Sequence, residues 1–297
     1  MADSGADGRD AAAGPFERDT AVRRREDRGP THPTDPGGLP DEALFDATVA
    51  DGWKAGRGPH GGYLAAMLLR ALEETLDDAA RGARSLTVHY ARAPEPGTVE
   101  IATRVERAGR SLSTLSARMT QEGRLMALVL AAFSVPWSGP EIDDLPLPDV
   151  EPPSPDRQAG TARSFGAPAF TAHMIMQPRF AGAPLTGERR PMEVGAWLGL
   201  AEPRTVDAPA LAFFSDALLP SPFMATSVPA AAPTIDLTVH FRSPERRTNP
   251  HEMLYAQTAS RLLHEGFFEE DGVIWAGDGT VLAQSRQLAI LLPPRSG

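Results

Sequence analysis

Leu86-Thr87-Val88-His89-Tyr90 returns 151 residues later as Leu237-Thr238-Val239-His240-Phe241. Leu86, Val88 and Tyr90 fall on one side of the first copy, Thr87 and His89 on the other. That period of two predicts a half-buried strand. Both copies run into a proline-bearing segment, Ala93-Pro94 and Ser243-Pro244. Both halves close on a turn and an apolar strand, Glu122-Gly123-Arg124-Leu125 and Asp278-Gly279-Thr280-Val281. A five-residue match alone is weak. Its place after a helix and before three strands in each half makes duplication the better account.

Working outward, residues 63–72 hold strong helix formers with no Pro or Gly. The run is apolar nearly all round, which predicts a buried helix ending near Asp77 or Asp78. The spacing predicts strands over 43–49, 85–91, 98–107, 111–120 and 124–135 in the first half. In the second half it predicts strands over 174–180, 192–200, 234–241, 251–260, 266–275 and 281–292, with a helix over Ala208–Leu219. Residues 138–165 carry six prolines, Pro140 to Pro155, and predict a linker. Residues 1–40 lack apolar pattern and predict a disordered extension. The expected domains are therefore an extension at 1–40, modules at 41–137 and 166–295, and a linker at 138–165.

Composition narrows the chemistry. The 297 residues include no cysteine, which excludes disulfides, thiolate metal sites and a cysteine nucleophile. A formal net charge of −10 argues against nucleic acid as a partner. No apolar run reaches the length of a membrane span, and the polar start MADSGADGRD lacks a secretory pattern, so a cytoplasmic location is expected. The seven histidines show no metal-ligand spacing, and neither a metal nor another cofactor is expected. Arg57, Arg84, Arg92 and Arg110 are candidates for contacts to phosphates, with solvated surface residues as the plainer reading.

A long helix wrapped by an antiparallel sheet, present twice, is an α+β plan. Its residues are Gly61-Gly62-Tyr63-Leu64-Ala65-Ala66, 214–220, 234–241 and Ala283-Gln284-Ser285-Arg286-Gln287. In order and spacing these resemble the acyl-CoA thioesterase II type of the double-hotdog, thioesterase-like superfamily. The resemblance implies two fused hotdog modules that hydrolyse acyl-CoA or a related acyl thioester, in an assembly consistent with a homo-oligomer. It implies an Asp, a hydroxyl residue and a Gln around one water, at Asp216, Thr234 and Gln287. It also places the family's Gly-Gly pair at Gly61-Gly62, and two glycines before a helix permit close approach of a ligand to the backbone; His60 beside them is a further candidate for substrate contact. The alternative on the same scaffold is a protein that binds acyl thioesters without cleaving them.

The chemistry is coherent with those residue types. No Gly-x-Ser-x-Gly elbow is present, so water is the expected nucleophile. Asp216 would be its general base, and Thr234 and Gln287 would hold it, since a hydroxyl and an amide both donate and accept. Backbone N–H groups at a helix start would meet the oxyanion. Each residue also has a structural alternative. Asp216 could cap a helix, Thr234 could serve strand packing, Gln287 could face solvent, Gly61-Gly62 could form a plain turn, and His60 could be incidental.

Overall fold

The computed structural model describes residues 14–26, 43–156, 167–227 and 231–292. In chain order its helices are α1 (Pro15–Asp19), α2 (Gly61–Leu76) and α3 (Ala208–Phe214). The first-half strands are β1 (Val22–Arg24), β2 (Ala43–Val49), β3 (Lys54–Ala55), β4 (Gly58–Pro59), β5 (Gly82–Tyr90), β6 (Gly97–Ala108), β7 (Leu112–Gln121) and β8 (Arg124–Ser134). Those of the second half are β9 (Met174–Pro178), β10 (Glu193–Leu200), β11 (Thr234–Phe241), β12 (Leu254–Ala259), β13 (Leu263–His264), β14 (Phe267–Trp275) and β15 (Val281–Ile290).

One antiparallel sheet runs β1-β2-β6-β7-β8-β5-β11-β15-β14-β12-β10-β9. Its middle is the sequence repeat paired with itself. Thr87 lies opposite Thr238, its own counterpart, and their hydroxyls are 3.0 Å apart. Leu86 faces Val239 and Val88 faces Leu237, so the pairing is reciprocal about that point. Both repeat strands carry an irregularity at the same place, between Ala83 and Ser85 in β5 and between Thr234 and Asp236 in β11.

Helix α2 crosses the inner face with ten of its residues buried. It ends at Asp77, which adopts the left-handed conformation that Asp tolerates better than most residues. Helix α3 packs against it. The expected helix over Ala208–Leu219 is shorter, stopping at Phe214. The Ser215 hydroxyl bonds back to the Leu211 carbonyl at 2.8 Å, and Pro220 and Pro222 resist a further turn. The chain instead makes a 3-10 turn at Ser221–Met224.

Two other expectations need correction or completion. Residues 14–26, assigned to a disordered extension, are structured: α1 buries Phe16 against Trp53 and Phe213, and β1 pairs with β2. One Phe and one Val among charged residues carry no periodic pattern, yet Phe16 meets a complete aromatic cluster. Residues 1–13 and 27–40 lie outside the described residues. The proline-rich segment is extended as far as residue 156 and covers the outer face of the second half. Leu145, Leu147 and Val150 pack on Trp197, Tyr255 and Trp275, and both indoles donate to its carbonyls. Residues 157–165 of the expected linker lie outside the described residues.

Candidate active site

The start of α2 is built against the end of α3. His60 caps α2: its Nδ1 accepts from the Tyr63 N–H at 3.2 Å. With Nδ1 accepting, the ring proton sits on Nε2, which donates to the Asp216 carbonyl at 2.8 Å. Burial pushes the His60 pKa down against the pull of Asp216, so the ring is neutral near pH 7. The 3.6 Å approach of its Nε2 to the Asp216 carboxylate is therefore not an ion pair. His60 is 2% exposed, lies against Phe170 and Phe213, and has both nitrogens engaged. It holds Asp216 in place rather than offering an edge to substrate.

The Asp216 side chain reaches the same helix start, where its Oδ2 accepts from the Gly62 N–H at 2.9 Å. A cap at Asp216 is thus realised, but across space and on α2. Helix α3 is capped by Asp207, whose carboxylate accepts from the Ala210 N–H. The two glycines make this approach feasible. A Cβ on Gly62 would stand 2.6 Å from the Phe213 carbonyl oxygen and 3.0 Å from that of Ala212. A Cβ on Gly61 would stand 2.8 Å from Asp216 Oδ2. The space they leave is taken by α3 and Asp216. Tyr90, which the sequence did not single out, donates to the Gly61 carbonyl at 2.8 Å, and burial pushes its hydroxyl pKa well up. Among the described residues, the Gly61 N–H and Asp216 Oδ1 carry no hydrogen bond.

Thr234 and Gln287 are brought together. Across the irregularity in β11, the Thr234 hydroxyl donates to Gln287 Oε1 at 2.8 Å. Gln287 faces inward, 8% exposed, and its Nε2 donates to Glu270 Oε1 at 2.9 Å. Glu270, the other residue missed in the sequence, accepts from the Ser221 N–H through Oε2 at 2.7 Å. Burial is the main cause of its raised pKa, and the charge of Asp216 adds to it. That coupling is electrostatic. No direct hydrogen bond joins Asp216 to Thr234 or Gln287.

Glu270 was legible only through strand phase. It shares the buried face of β14 with Phe268 and Gly272, although Glu269-Glu270-Asp271 looks like a solvated acidic run. The other candidates are dispersed. Arg84 donates to Ser134 Oγ and Arg92 to the Leu125 carbonyl, while Arg57 and Arg110 are exposed. Among the described residues, no cluster of three or more metal-ligating side chains occurs. Two cavities of about 370 and 390 Å³ lie elsewhere, one at the far end of α2 and one beside α1. Neither includes Asp216, Thr234 or Gln287. The side chains that can act on a water are joined in the hydrogen-bonded cluster of Thr234, Gln287 and Glu270, away from both cavities.

The internal repeat gives this cluster a control. Gln287 stands opposite Leu237, and Ala131 stands opposite Leu86, the repeat mate of Leu237. Glu270 stands opposite Gln287 as Leu115 stands opposite Ala131. Thr234 corresponds likewise to Ala83. The second half thus places a threonine, a glutamine and a glutamate where the first packs two alanines and a leucine. The scaffold folds with apolar residues there, so the polar set is not required by packing.

Comparison with known proteins agrees with this architecture. An uncharacterized protein of Mycobacterium bovis is 24% identical over 282 residues, spanning 87% of this chain and 94% of its own. A solved protein of Alicyclobacillus acidocaldarius, described as having a hot dog fold and unknown function, superposes with a TM-score of 0.78 at 23% identity, over 95% of this chain and all of that one. The acyl-CoA thioesterase II TesB2 of Mycobacterium marinum superposes at 0.66 with 18% identity, over 86% of this chain and 93% of its own. At those identities the structural likeness is one of fold. Residues 49–134 match the acyl-CoA thioesterase N-terminal domain and residues 144–291 match the corresponding C-terminal domain. With both halves matched in order across most of its length, the chain belongs to the acyl-CoA thioesterase family.

Proposed function

We propose that this protein hydrolyses acyl-CoA or a related acyl thioester with a water held by Asp216, Thr234 and Gln287. Its chain is two fused hotdog modules, 41–137 and 166–295; the second supplies the side chains that act on the water, and the first supplies the backbone N–H groups at the start of α2. The observation that carries the reading is the replacement of Ala83, Ala131 and Leu115 by Thr234, Gln287 and Glu270 at matching positions of the sheet. Family membership supports the substrate class.

In the first step a proton passes from the water to Asp216 Oδ1 as the water oxygen attacks the thioester carbonyl carbon. The carbonyl oxygen becomes an oxyanion, and the unpaired Gly61 N–H at the start of α2 is the donor available to it. The tetrahedral intermediate then expels the thiolate. Asp216 returns its proton to the sulfur, leaving free acid and thiol.

Asp216→Asn tests the base while sparing the fold, because the amide oxygen still accepts from the Gly62 N–H. With medium- and long-chain acyl-CoAs, thiol release should fall by about 100-fold or more at an unchanged Tm. Unchanged turnover removes Asp216 from the mechanism. No thiol release by the wild type across the panel would favour binding without cleavage.

A further inference from the structure

Glu270 takes no part in the steps above, yet it occupies a costly position. It is 3% exposed, its bonds come from the Ser221 N–H and Gln287 Nε2, and Asp216 is the charged group whose field reaches it. A buried carboxylate without a paired cation is unfavourable and has to be held by hydrogen bonds. The first half manages with Leu115 at the matching point of its ladder.

What Glu270 controls is the direction of the Gln287 amide. A side-chain amide has a donating end and an accepting end, exchanged by a half-turn. In its ionised form Glu270 only accepts, so it can face only the NH2 end; protonation, which burial brings closer, would give it a donor and release that constraint. With Glu270 ionised, the amide oxygen is turned to Thr234, whose hydroxyl proton it takes. With its one proton committed, Thr234 Oγ1 can only accept from a water. That water gives one proton toward Thr234 and the other toward Asp216, which leaves a lone pair free for the thioester carbon. The half-turned amide would donate to Thr234 and point the hydroxyl proton at the water, tying up one of its two lone pairs and weakening it as a nucleophile.

We infer that Glu270 is a positioning residue that locks the Gln287 amide with its oxygen toward Thr234, and so presents the water to the thioester by its lone pair. This rests on the hydrolytic reading above. The lock itself is measurable without it.

Glu270→Gln keeps the shape and can offer Gln287 either a donor or an acceptor. It should lower kcat by about 10- to 100-fold with KM changed by less than about twofold. In a Gln287→Ala background the same substitution should change kcat by less than about twofold, since the relay is already cut. An unchanged kcat in Glu270→Gln overturns the inference, as does an equal loss in both backgrounds. The second measurement is the side-chain amide NMR signal of ¹⁵N-glutamine-labelled protein, with Gln287 assigned by its disappearance in Gln287→Ala. In the wild type one Gln287 proton should be shifted downfield and slow to exchange, and in Glu270→Gln it should move to the ordinary range. A wild-type Gln287 signal already in the ordinary range overturns the inference, even if the variant fails to fold. If the signal behaves as expected but no acyl-CoA is cleaved, the lock stands and the hydrolytic reading falls.

Discussion

Asp216 divides its two oxygens between two tasks. Oδ2 is tied to the first turn of α2, where the helix favours negative charge, and Oδ1, which carries no hydrogen bond among the described residues, is the oxygen that the proposed mechanism assigns to the reacting proton. At the other end of the helix pair a second carboxyl is placed less comfortably. Burial, aided by the nearby Asp207, raises the Glu73 pKa from 4.5 to about 7. Its folded value lies above its unfolded one, so the folded protein binds more protons between those limits. Stability is then lost as pH rises through that window and levels off above it. Glu73→Gln should therefore stabilise by about 1–2 kcal/mol at pH 8, discounted for partial exposure, and by almost nothing at pH 4.5. Thermal unfolding at the two pH values checks this; an equal shift at both would refute it. Residue roles were the least legible part of the sequence. Strand alternation left Gln287 open on a face shared with Ser285, and the acidic run Glu269-Glu270-Asp271 masked the inward phase of Glu270. Nor does a local pattern announce that Asp216 caps a helix 154 residues away.

Most elements were readable, because period-two runs bounded by Gly and Pro define strands well. Strand β11 occupies the expected residues, and β8 and β14 differ from expectation by one residue at one end. Helix α3 was overextended because its apolar content continues past the residue where Ser215 turns back on Leu211. That early stop has a use. It frees residues 215–224 to return toward the start of α2 and toward Glu270, delivering Asp216 and Ser221 respectively. The contact between the two helices leaves no space for a methyl group. Gly62→Ala should lower stability by about 1–3 kcal/mol through overpacking against backbone oxygens. It should also depress thiol release, since the new Cβ stands 3.0 Å from the Asp216 Cβ. Gly277→Ala is the matched control, because a Cβ there meets nothing within 4 Å. Equal Tm values for the two variants would contradict the close contact.

On the scale of the whole molecule, the two halves share one sheet and one main core rather than a hinge. The β5–β11 ladder joins them along five residue pairs, and buried residues of both halves belong to the same cluster. Unfolding should then be a single cooperative event, with calorimetric and van't Hoff enthalpies in agreement. Two resolved heat-absorption peaks would show the halves to be separable. The repeat was visible in the sequence from one pentapeptide. The self-pairing of that pentapeptide was not, since no rule of periodicity says which strands become neighbours.

The ladder in which Thr87 meets Thr238 has a consequence for any severed half. Cutting the chain between them would bare an edge whose row of amide and carbonyl groups invites a new strand. Because the register is reciprocal, an identical fragment could fill that vacancy with little adjustment. Two liberated copies of the later fragment would then form a twin carrying the threonine–glutamine–glutamate set twice over, while two copies of the earlier one would form a mute twin with none.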